Sequence, residues 1–163
     1  PHVLTHSASS YIYHSEEQLK GLGGRRIYLL VQDGRDIPRA GKALYQRLWL
    51  AGHGYIVISS AGTLLDRSIV DAAVWQPERL DFAAGAVCDP PLEQRRPAPV
   101  AFNNGNKPLD TRTALKSLTP REAAQFQELV RAAKERTKPE ADLVRREWID
   151  RRDTIGEAHV NQA

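Results

Sequence analysis

Glycines at positions 21, 23 and 24 run straight into Arg25-Arg26-Ile27-Tyr28-Leu29-Leu30-Val31, and no other feature narrows the fold as much. Glycine takes backbone conformations closed to other residues and lets the chain approach a neighbour closely. The apolar run that follows, bounded by Asp33-Gly34, reads as a strand over 27–32. A strand there excludes a P-loop, which needs Gly-Lys-Ser/Thr opening a helix. Two arginines at the strand's entrance offer planar, permanently charged donors, an arrangement that suits a phosphate-bearing ligand.

The 163 residues suffice for one domain and a helical appendage. A hydrophobic share of 41% and a charged share of 26% describe an ordinary globular chain. No apolar run has the length of a membrane span, and no leader pattern opens the sequence. The single cysteine, Cys88, excludes an internal disulfide and fits a reducing, cytoplasmic setting. Within Val87-Cys88-Asp89-Pro90-Pro91 it reads as a small apolar residue, with no base nearby in sequence. The net charge of +3 is mild, but Lys20, Arg25, Arg26, Arg35, Arg39, Lys42 and Arg47 crowd one early stretch. Most such charges are solvated surface, with an anionic ligand the alternative. The start at Pro1 and the absence of methionine are read as marking a piece of a longer protein.

Residues 6–13 fit a strand with Tyr11 and Tyr13 on one face, and 16–24 a turn or loop. Asp36, Pro38 and Gly52 punctuate a helix with Ile37, Leu44, Leu48 and Ala51 on its apolar side. Residues 55–59 form a short buried strand, and the spacing of Leu65, Ile69 and Ala72 predicts a helix over 63–75. Arg79-Leu80-Asp81-Phe82 alternates like a strand. The prolines and Asn103-Asn104-Gly105-Asn106 predict an extended linker over 89–118. Thr119-Pro120-Arg121-Glu122 is a capping box, and Pro139 kinks the helix it opens or starts a second one. The order predicts an α+β fold: a core over 1–88, the linker, and a helical arm over 119–163.

The run Gly23-Gly24-Arg25-Arg26-Ile27-Tyr28-Leu29 resembles the second motif of the archaeo-eukaryotic primase (primase–polymerase) superfamily. There, glycines precede a histidine two positions before an aromatic residue on a strand. Leu48-Trp49-Leu50-Ala51-Gly52-His53-Gly54 and Ile58-Ser59-Ser60-Ala61-Gly62-Thr63-Leu64-Leu65-Asp66-Arg67-Ser68-Ile69-Val70-Asp71 are similar to primases of plasmids, phages and integrated elements. Ordered blocks of this kind span roughly residues 6–150. The resemblance implies the second half of an RRM-like catalytic sheet-and-helix core, working by two-metal nucleotidyl transfer with Mg²⁺ or Mn²⁺. Nucleoside triphosphates and single-stranded DNA would be its substrates, with a helicase or replication module in the parent protein and no membrane.

By that resemblance Arg26 stands where the family has histidine. An arginine grips phosphate but exchanges no proton near neutral pH, and His6 or His53 would have to supply an imidazole. Gly23, Gly24, Arg25 and Arg26 would hold phosphate, and Tyr28 would back the nucleotide or fill the core. The family's Asp-x-Asp strand is not found and would precede residue 1. Asp71 is the preferred third acid and metal ligand, with Asp66 the other candidate. Arg67 would contact template or product phosphate, or pair with Asp71 at i,i+4. Two further readings stand beside this one: a non-catalytic nucleic-acid-binding module, and a structural or protein-interaction domain.

Overall fold

The computed structural model describes residues 1–76, 78, 81, 83–103 and 107–160, the last eight of these by backbone alone. The fold is mixed α+β with small antiparallel sheets and a C-terminal helix. The first half holds β1 (His2–His6), β2 (Ile12–His14), β3 (Glu17–Lys20), β4 (Arg25–Leu29) and α1 (Ile37–Leu50). After these come β5 (Gly54–Ile58), β6 (Leu64–Ser68), β7 (Leu92–Gln94), β8 (Val100–Phe102), α2 (Thr111–Ala114) and α3 (Pro120–Val160). The chain forms two compact units: Pro1–Ile37 with Pro77–Ala114, and Pro38–Gln76 with Leu115–Ala163.

The first unit contains two three-stranded sheets, in the orders β4-β1-β8 and β3-β2-β7. Three expectations fail here. The strand expected over 6–13 is broken, since β1 ends at His6, a turn occupies 7–10 and β2 begins at Ile12. The stretch 89–118 is no linker, because β7 pairs with β2 and β8 with β1. Both are edge strands, where proline-rich flanks leave no ladder bond unmade, so the composition marked sheet edges. Gln94 ties β7 down by donating to the carbonyls of Ala8 (2.7 Å) and Ser10 (2.8 Å) while accepting from the Ala86 amide (2.8 Å). The predicted loop over 16–24 contains β3, hairpinned onto β2. All four β3 residues are exposed, so hydrophobic pattern could not announce it. What fastens the hairpin is distant: Arg95 donates to the Ser15 carbonyl (2.8 Å) and to Glu16 (3.1 Å), and lies over the Tyr13 ring.

β4 leads through a parallel bridge, Val31 to Leu109, into a 3-10 turn over Gly34–Asp36 that Asp33 caps. Asp36, directly before α1, is buried and accepts from the Thr111 hydroxyl at 2.5 Å. Among the described residues every buried apolar side chain lies in the second unit.

That second unit is organised around Tyr45, Trp49, Phe126 and Ala133, with Ile56, Trp75 and Val130 packed against them. α1 follows the expected punctuation: Pro38 in its first turn, then Gly52 at φ +84° closing it, where the Gly52 amide donates to the Trp49 carbonyl (3.0 Å) and the His53 amide to the Leu48 carbonyl (2.8 Å). The predicted helix over 63–75 fails as well. Residues 64–68 are β6, paired antiparallel with β5 from Gly54↔Ser68 to Ile58↔Leu64. Gly62 turns the chain back at φ +75°, and the Ser59 hydroxyl accepts from the Thr63 amide (3.0 Å). Pairing with β5 and packing on α3 outweigh the helical spacing, and Ile69, a residue of the supposed apolar face, is 67% exposed. The strand-like stretch at 79–82 lies outside the described residues except for Asp81.

α3 starts at the expected capping box, in which Glu122 accepts from the Thr119 amide (2.7 Å) and Thr119 from the Glu122 amide (3.3 Å). It then continues through Pro139 as one 41-residue element. Pro139 is exposed, so the carbonyl that loses its helical donor can turn to water. Among the described residues no helix is long and apolar enough to cross a membrane.

Candidate phosphate site on the first sheet

The glycines ahead of β4 meet the fold's own backbone. The Gly23 amide donates to the Ser10 hydroxyl (3.0 Å), Ser10 bonds Ser7 (2.8 Å), and the Ser7 amide donates to Gly24 (2.8 Å). A Cβ on Gly23 would lie 3.1 Å from Ser7 Oγ. Gly23 and Gly24 thus seat the 7–10 turn, whose Ser10 is completely buried, and so set where β4 begins.

Strand alternation then separates the two arginines. Arg25 pairs in register with His6 and shares its face with Ile27 and Leu29, which are 61% and 55% exposed. Arg26 pairs with Thr5 and shares the other face with Tyr28. One phosphate therefore cannot be gripped by both guanidinium groups. On the Arg26 face the donors converge: Arg26 Nε lies 3.4 Å from Asp81 Oδ1, and the Tyr28 hydroxyl donates to Asp81 Oδ2. The hydrogen bond to Asp81, with burial second, pushes the Tyr28 phenol above its ordinary range. Thr5 is 4% exposed, and its Oγ1 is buried without a hydrogen-bond partner among the described residues.

The remaining candidates, Asp66, Arg67 and Asp71, belong to the second unit. Because β6 is a strand, the expected i,i+4 pairing of Arg67 with Asp71 does not form on a helix. Arg67 Nη1 instead donates to the Asp66 carbonyl (3.3 Å). Asp66 accepts from the Tyr45 hydroxyl (3.0 Å) and lies 3.4 Å from Lys134 Nζ. Burial would raise its carboxyl, but bonds from Tyr45 and its own backbone, helped by Lys134, hold it below the usual carboxylate range. Asp71 Oδ1 accepts from the Ala73 amide (3.0 Å) and shapes the turn after β6. Among the described residues no three His, Cys, Asp or Glu side chains gather as metal ligands.

Sequence reasoning missed Thr5 and Asp81. Neither carries a local signal, since each gains meaning only through register or a contact 53 residues away. No family model, curated protein or solved structure matches the chain.

Proposed function

We propose that this chain is part of a DNA primase/polymerase, in which it binds nucleoside triphosphate and single-stranded DNA. The observation carrying this reading is the convergence of Arg26 and Tyr28, from one face of β4, on a single carboxylate. A guanidinium and a phenol already sharing one anion are arranged to take the oxygens of another. The ordered blocks similar to plasmid, phage and integrated-element primases support the same reading. Among the described residues no three candidate metal ligands gather, and no metal-dependent step is drawn from Asp66 or Asp71. A helicase or replication module in the same polypeptide fits this role.

Arg26 itself favours a second reading, a non-catalytic nucleic-acid-binding module. Its guanidinium stays charged and moves no proton near neutral pH. Titration of ATP and of a short single-stranded DNA, with and without Mg²⁺ or Mn²⁺, separates the two. A nucleotidyltransferase component holds triphosphate more tightly with the metal, a plain binder does not, and binding of neither ligand at low salt defeats both.

A further inference from the structure

Thr5 offers an anomaly that the fold does not explain. A buried hydroxyl without a partner is costly, and buried side-chain polar atoms almost always find one. Among the described residues Thr5 Oγ1 has none, although the residue is only 4% exposed. As the register partner of Arg26 it leaves the sheet on the same face, at the Cβ spacing of directly opposed strand residues. Tyr28, two residues along β4, is on that face too. Three donors of different kinds therefore stand side by side, and two of them already hold the Asp81 carboxylate.

We infer that Thr5, Arg26 and Tyr28 form one anion site for a nucleotide phosphate, and that Asp81 fills it as an internal carboxylate. The inference rests on the nucleotide-binding reading above and adds its third donor and its internal competitor. A phosphate has three peripheral oxygens where a carboxylate has two, so it can engage the guanidinium, the phenol and the threonine hydroxyl together. Asp81 satisfies only the first two. Phosphate must displace Asp81, because two anions on one guanidinium repel each other. Asp81 is 43% exposed at its side chain, so it has solvent to move into.

The test is titration of ATP and inorganic triphosphate into the full chain at low salt without metal, alongside thermal melting. Thr5→Val removes the hydroxyl at constant shape and should weaken binding about 10- to 100-fold. Its melting temperature should equal or exceed that of the unaltered protein, because an unpaired buried hydroxyl is gone. Thr5→Ser should restore binding, and Asp81→Asn should tighten it. Wild-type affinity in Thr5→Val, its melting below wild type, or no tightening in Asp81→Asn would overturn this inference alone, provided Arg26→Ala still weakens binding. Failure of the unaltered chain to bind, or indifference to Arg26→Ala, would overturn the nucleotide-binding reading as well.

Discussion

Tyr45, in the middle of α1, donates its hydroxyl to Asp66 of β6 across 3.0 Å, and Lys134 of α3 approaches the other carboxylate oxygen at 3.4 Å. Three elements of the second unit thus meet on one acid. Tyr45→Phe should cost about 1 kcal/mol at neutral pH. The folded Asp66 carboxyl titrates below its unfolded value of about 3.9. A lowered folded pKa means the contribution is complete above the unfolded value and drains away as pH falls through the folded one. Urea denaturation at pH 7 and pH 3 should therefore show the gap between wild type and Tyr45→Phe narrowing in acid.

Gly62 and Gly52 both have positive φ, but their surroundings differ. A Cβ on Gly62 would lie 2.7 Å from the Ala141 carbonyl oxygen and 2.6 Å from Arg145 Cβ, whereas one on Gly52 meets nothing within 4 Å. Gly62→Ala should destabilise by about 2–4 kcal/mol, combining left-handed strain with overpacking. Gly52→Ala should lose about 1 kcal/mol from strain alone. Denaturant midpoints of the two variants, side by side, check the ordering.

At Gly41 two effects compete. Alanine in a helix interior normally gains roughly 0.5–1 kcal/mol over glycine. Here a Cβ would collide with the Trp75 indole, and overpacking of that kind costs roughly 1–3 kcal/mol. The clash outweighs the gain in helix propensity, so Gly41→Ala should unfold at lower denaturant than wild type.

The arginines on opposite faces of β4 should behave differently. Arg26→Ala should weaken ATP binding about 10- to 100-fold. Arg25→Ala should leave ATP affinity nearly unchanged while lowering the salt slope of single-stranded DNA binding by about one phosphate contact. Equal losses of ATP affinity in the two variants would contradict the face assignment.

Elements with chemical punctuation were legible in the sequence. Pro38 and Gly52 bracket α1, Thr119 and Glu122 start α3, and the apolar run 55–58 lies within β5. Elements made by distant partners were not. β6 reads Leu-Leu-Asp-Arg-Ser, with no alternation, and owes its form to β5 and the Gly62 turn. β3, β7 and β8 are short and mostly exposed, so backbone pairing defines them, with the side chains of Gln94 and Arg95 fastening β7 and the β2–β3 hairpin. The candidate site divides the same way. Arg26 and Tyr28 were visible as cationic and aromatic neighbours on a strand, whereas Thr5 is conspicuous only for a hydroxyl without a partner.

The unequal distribution of buried apolar side chains has a thermodynamic corollary. Strands held by ladder bonds and polar clasps resist opening less than helices clamped on indole and phenyl rings. Amide exchange should record two protection levels, with β1 and β4 yielding well before α1.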